Sequence, residues 1–137
     1  MLDRQMTPTD HRPRVMVLDD EPTARLIMNR YLGLHGYDTI AAGTVDEAVA
    51  VLKRERVDAV ILDVGLSEER TGLDVLRTLR RLPGLEKLPA IILTGKILDD
   101  AEELSIARER AYLFRKPESL EVLVKFLDQI LGTDQPQ

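Results

Sequence analysis

No cysteine occurs in the 137 residues, so neither a disulfide nor a thiolate metal site can hold or operate this fold. Long apolar runs are missing too. The N-terminal stretch MLDRQMTPTDHRPR is polar, and no later run approaches the roughly 20 apolar residues of a membrane span. A cytoplasmic, soluble protein without a membrane partner is expected. Basic residues are neither in excess nor gathered on one face: 19 Lys and Arg stand against 24 Asp and Glu, for a net charge of −5. A nucleic-acid surface is therefore not expected, and any DNA contact would belong to a partner. No Gly-rich or Ser/Thr-rich phosphate loop follows the first apolar run, which argues against a nucleotide or flavin domain.

What is present fits one globular domain. Hydrophobic residues make up 44% and charged residues 31% of a chain of ordinary single-domain length. Residues 1–13 carry Pro8 and Pro13 with neither helical nor strand period and are expected to be a mobile tail, as are residues 133–137. Between them, in residues 14–132, short apolar runs alternate with longer amphipathic segments. The runs Val15–Leu18, Ala59–Leu62 and Ala90–Leu93 are continuous and aliphatic, as strands buried on both faces of a parallel sheet must be. Tyr37–Ala42 and Ala111–Arg115 are weaker and suit the sheet edges. The intervening segments have helical spacing, clearest for Leu120, Leu123, Val124, Leu127 and Leu131. Pro22 suits the first turn of a helix that starts after Asp19-Asp20-Glu21. Thr44 and Glu47 form a capping-box pattern for the next helix. Five βα repeats predict an α/β fold, a doubly wound five-stranded parallel sheet with five helices and right-handed crossovers.

Ligands of such sheets bind at the carboxyl ends of the strands. The residues that follow the apolar runs there are Asp19 and Asp20, Asp63, Thr94 and Lys116. Three carboxylates in one cleft repel one another, and a hard divalent cation is the usual remedy; Mg²⁺, or Mn²⁺ in its place, is the natural candidate. It would leave Asp63 able to present an oxygen to phosphorus, while Thr94 and Lys116 stabilise charge on the phosphoryl oxygens. Taken singly, each residue has a plainer reading. Asp-Asp-Glu can simply cap a helix, Asp63 can sit in a turn, and Lys116 can be a solvated charge. His35 reads as a helix C-terminal or surface residue, and His11 lies in the tail.

The segments MVLDDEP, VILDVGL, ILTG and RKP, in that order and each at a predicted strand end, resemble the receiver domain of two-component response regulators. The resemblance covers residues 14–132 and implies the flavodoxin-like strand order 2-1-3-4-5. It implies that Asp63 is the phosphoacceptor and that Asp19, Asp20 and the backbone carbonyl of Gly65 join Asp63 in binding the metal. Thr94 is then the switch hydroxyl, and Lys116, before a cis Pro117, holds a phosphate oxygen. The implied function is a phosphoprotein signalling switch rather than an enzyme, phosphorylated by a sensor histidine kinase or phosphotransfer protein and read by a downstream protein target. Homodimerisation through helix 4, strand 5 and helix 5 belongs to the same implication.

The sequence also departs from the family pattern. Leu113 stands three positions before Lys116, where an aromatic is usual, and on a strand its neighbours Tyr112 and Phe114 point to the opposite face. The loop Ser67–Thr71 lacks the common proline and brings Gly72 one position late. Arg108-Glu109-Arg110 replaces a usual glycine before the last strand, so the fourth helix is expected to end differently. Two alternatives follow. One is a phosphorylation-independent interaction module of receiver form. The other is a phosphohydrolase with an aspartyl nucleophile, disfavoured because Asp19-Asp20 is not Asp-x-Asp. Only TDQPQ follows the last helix, so the chain is expected either to act through partners or to be part of a longer regulator.

Overall fold

Each continuous aliphatic run becomes a strand covered on both faces. The structure, a computed structural model, describes residues 12–63, 72–95, 97–115 and 119–132. Gly65, the Ser67–Thr71 loop, Lys116 and Pro117 lie outside the described residues. Five parallel strands, β1 (Arg14–Leu18), β2 (Asp38–Ala42), β3 (Ala59–Asp63), β4 (Ala90–Thr94) and β5 (Ala111–Arg115), pair in the order β2-β1-β3-β4-β5. This is the expected 2-1-3-4-5 order. Every residue of β3 and β4 is buried, whereas β2 and β5 at the edges are only partly so.

The helices are α1 (Pro22–Leu34), α2 (Val45–Arg54), α3 (Gly72–Arg80), α4 (Asp100–Arg108) and α5 (Leu120–Leu131). Strand alternation divides the core in two. Val15, Val17, Ile61, Ile91 and Leu93 meet Leu32 of α1 and Leu123, Val124 and Leu127 of α5. Met16, Leu18, Val60, Leu62 and Ile92 meet Ala48 and Val51 of α2, Val75, Leu76 and Leu79 of α3, and Ile106 of α4. Helices of nine to 13 residues are marginal alone in water. Burial of each Leu or Ile, at about 1.5–3 kcal/mol, is what holds them against the sheet.

The helix starts follow their capping residues, with one difference from the sequence reading. Pro22 does open α1, with the Glu21 carboxylate accepting from the Ala24 N–H at 2.8 Å. In α2, Thr44 Oγ1 accepts from the Glu47 N–H at 3.1 Å, but the Glu47 carboxylate accepts from the Gly43 N–H at 2.7 Å. The capping box is thus half formed, because Gly43 lets the carboxylate reach one residue further back. A full reciprocal box, unremarked in the sequence, caps α4 through Asp99 and Glu102. His35 follows α1 as its C-cap, exposed, with Nδ1 3.0 Å from the Tyr31 carbonyl oxygen. Arg12 also closes that end, donating to the carbonyls of Gly36 and Gly33 at 3.1 and 2.8 Å.

The fourth helix ends at Glu109, its C-cap. Arg110 takes a left-handed φ of 62° in the turn into β5. The Arg80 guanidinium lies beneath that turn, with Nε donating to the Glu109 carbonyl at 2.8 Å and Nη2 to that of Arg110 at 3.2 Å. Its Nη1 donates to the carbonyls of Leu85 and Leu88 at 3.0 and 2.6 Å. Burial pushes the Arg80 pKa down, the Glu109 carboxylate opposes this, and Arg110 adds to it. Among the described residues, no helix is long and apolar enough to cross a membrane.

Candidate functional site

The strand order reverses at β1, which has β2 on one side and β3 on the other. A crevice opens outside the carboxyl ends of strands at such a point. Leu18 pairs with Leu62, so Asp19 and Asp63 leave neighbouring strands at the same level, about 4.8 Å apart across the sheet. Both are buried, at 6% and 7% exposure. They share the wall of an open cavity of about 230 Å³, lined also by Ile27 and Met28 of α1 and by Ser119 and Leu120 at the start of α5.

The three acids after β1 have three different surroundings. The Asp19 N–H still pairs with the Ala42 carbonyl at 3.1 Å, and Asp19 Oδ1 accepts from the Glu21 N–H at 3.0 Å, which turns the chain toward α1. Glu21 is the helix cap. The plain capping reading therefore belongs to Glu21 and partly to Asp19. Asp20, at the apex, is exposed and makes no hydrogen bond or ion pair with the described residues.

Among the described residues, no three His, Cys, Asp or Glu side chains are grouped closely enough to form a metal cage. The three-carboxylate cluster read from the sequence is thus not gathered as such. The donors present nevertheless fit Mg²⁺, which takes one or two carboxylates and keeps several waters, and fit a caged Ca²⁺ poorly.

Thr94 ends β4 one residue beyond the Asp63–Leu93 pair and is 1% exposed. Strand alternation places it on the α3–α4 side of the sheet, whereas Asp19 and Asp63 face α1 and α5. The strand ends thus bring Asp19, Asp20, Asp63 and Thr94 to one edge of the sheet. Lys116 and Gly65 were expected there and lie outside the described residues.

β4 and β5 pair without a bulge from Ala90–Ala111 to Thr94–Arg115. Leu113 accordingly packs in the core layer that holds Ile106 of α4. Tyr112 and Phe114 face the other way, their ring centroids 4.8 and 5.0 Å from that of Phe126 on α5. No bulge resets the register at position 113. Arg115 forms an ion pair with Glu103 of α4.

Sequence reasoning missed Arg25. Its Nη1 donates to the Asp19 carbonyl at 2.8 Å, a contact between a loop and a side chain one turn into the next helix. The DDEPTAR string held the residue, but nothing local marked its direction.

A parallel sheet of this order, with buried acids at its switch point, defines a doubly wound domain of flavodoxin-like form. The family model described as "Response regulator receiver domain" matches residues 15–128. The chain belongs to that family, a signalling domain of two-component systems. It is 39% identical over 122 residues to the probable transcriptional regulatory protein TcrX of Mycobacterium tuberculosis, covering 85% of this chain and 49% of that protein. To the transcriptional regulatory protein AruR of Pseudomonas aeruginosa it is 36% identical, over 61% of this chain and 35% of that one. The chain therefore spans half or less of these relatives' length. Among solved structures, the chemotaxis protein CheY4 of Vibrio cholerae superposes with a TM-score of 0.79 over 88% of this chain and 99% of that one; at 24% identity it supports the fold alone. A receiver protein from Pseudomonas putida, 27% identical, gives 0.77 over 87% and 98%. Because the matched relatives are transcriptional regulators about twice as long, the expectation of no direct nucleic-acid contact extends no further than this domain.

Proposed function

We propose that residues 14–132 work as a receiver whose Asp63 accepts a phosphoryl group from a histidine kinase or phosphotransfer protein. The observation that carries this reading is a buried carboxylate, Asp63, beside Asp19 at the switch point of a receiver fold. A carboxylate oxygen of Asp63 attacks phosphorus, the new O–P bond forms as the donor's bond breaks, and the donor departs with the electron pair. Asp19, Asp20, Asp63 and the Gly65 carbonyl would hold Mg²⁺, which would supply charge neutralisation to the incoming phosphoryl group. Thr94 donates its hydroxyl to a phosphoryl oxygen and Lys116 supplies a cation to another. The domain is a phosphoacceptor rather than a turnover enzyme.

Output is assigned to the face formed by α4, β5 and α5, which would dock a downstream protein or a second copy. Leu104, Tyr112 and Val122 expose apolar surface on these three elements. Incubation with Mg²⁺ and acetyl phosphate, followed by intact-mass measurement, is expected to add one phosphoryl group to the wild type and none to Asp63→Asn. Equal labelling of the two proteins sinks the assignment.

Leu113 favours a second reading, a receiver that signals through its surface without phosphate, since an aliphatic side chain lines the core where an aromatic reporter is usual. Under it, Asp63→Asn labels poorly yet keeps partner binding and signalling. Loss of either with the variant decides for the phosphorylation-dependent switch.

A further inference from the structure

Arg25 contacts the backbone of the acidic turn through its guanidinium, which is held from two sides. Its Nη1 donates to the Asp19 carbonyl at 2.8 Å. Its guanidinium also rests on Gly43, so close that a Cβ added there would stand 2.7 Å from Nη1 and 3.2 Å from Cζ. Gly43 in turn is pinned by the Glu47 carboxylate, which accepts its N–H at 2.7 Å. The Asp19 N–H pairs with Ala42, the residue before Gly43. The loop after β1 and the loop after β2 are thereby joined through one guanidinium, and Gly43 is the residue that leaves room for it.

We infer that Arg25 is a positioning residue for the divalent cation of the proposed site, acting by fixing the main chain that carries Asp19 and Asp20. This rests on the reading of Asp19 and Asp20 as metal ligands. Two effects of the side chain oppose each other, and their signs differ. A cation near a cation site repels the metal, so if charge alone mattered, removing Arg25 would tighten binding. If the guanidinium holds the turn, removing it lets the carboxylates wander and weakens binding; loss of a group that supports metal ligands typically costs about 10- to 100-fold in affinity. Gly43→Ala separates the two effects, because it keeps the charge and displaces the guanidinium. The atom in the way is the end of a flexible side chain, and Gly43 has no left-handed φ, so the backbone accepts alanine.

The test is Mg²⁺ titration of the full chain by calorimetry, repeated with Mn²⁺, for wild type, Arg25→Met, Gly43→Ala and Asp20→Asn. Thermal unfolding in EDTA accompanies each variant. Both Arg25→Met and Gly43→Ala are expected to weaken Mg²⁺ about tenfold or more, with unfolding midpoints in EDTA close to the wild type. A dissociation constant within twofold of the wild type, or tighter, in either variant overturns the inference while leaving the metal site standing. If Arg25→Met lacks a cooperative unfolding transition, Gly43→Ala decides alone. Failure of the wild type to bind Mg²⁺, or equal binding by Asp20→Asn, overturns the metal reading itself and this inference with it.

Discussion

Arg110 is the residue at which this domain bears local strain. Among the described residues outside glycine, it alone has a positive φ. A side chain in the left-handed region costs about 1–2 kcal/mol, since Cβ crowds the following carbonyl. The Arg80 bonds to the carbonyls of Glu109 and Arg110 hold the turn in that conformation. Arg110→Gly is therefore expected to raise stability by about 0.5–1 kcal/mol, the relief being partly offset by the extra freedom of glycine in the unfolded chain. Urea unfolding of Arg110→Gly beside Arg110→Ala checks this, because alanine keeps the Cβ and should bring no gain. The same scale shows why an Asp-Asp-Glu string is ambiguous on paper: neighbours in sequence, Asp19 and Asp20 differ as a buried and an exposed carboxylate.

Among the elements, α4 is thinly anchored. Ile106 is its one buried residue, as Leu32 is of α1, where α3 buries Gly72, Val75, Leu76 and Leu79 and α5 buries Leu123, Val124 and Leu127. With little apolar anchoring, the reciprocal cap of Asp99 and Glu102 carries a larger share of its stability. Removing a cap of this kind costs about 1 kcal/mol. Asp99→Ala is accordingly expected to speed amide hydrogen exchange throughout α4, leaving α5 protected as before. Uniform acceleration across both helices would show that α4 does not open on its own. In the proposed switch, such an element, next to β5 and its ion pair Arg115–Glu103, is the one that would shift on phosphorylation.

For the whole molecule, Arg80 ties parts that are far apart in sequence. One guanidinium joins the end of α3 to the α3–β4 connection and to the turn between α4 and β5. Hydrogen bonds from a charged donor are worth about 1.5–3 kcal/mol each when their loss leaves buried acceptors unpaired, but these carbonyls are partly exposed and water replaces some of the loss. Arg80→Met is expected to cost about 2 kcal/mol in total, and Arg80→Lys nearly as much, since one ammonium cannot span the fork of carbonyls. Chemical denaturation of both variants checks the comparison. A lysine variant as stable as wild type would mean that charge rather than planar geometry holds the corner.

The order of the elements and the five strands were legible in the linear chain, as was the arrival of Asp19, Asp63 and Thr94 at the carboxyl ends of the three central ones. Strands buried on both faces have to be written as unbroken aliphatic runs, and in a βα repeat the residue that ends each run arrives at the edge where ligands bind. Val15–Leu18, Ala59–Leu62 and Ala90–Leu93 carried that signal, and so did the first-turn Pro22 and the stripe from Leu120 to Leu131. The opposite aim of Leu113 from Tyr112 and Phe114 also followed from strand alternation alone. Less was legible where a side chain chooses between partners. That Glu47 reaches Gly43 instead of closing its own box, that Arg25 turns back onto the Asp19 carbonyl, and that Arg80 gathers four carbonyls all depend on segments brought together by folding. Periodicity is local and records which face is buried; long polar side chains find their partners only once the sheet has set the distance between loops.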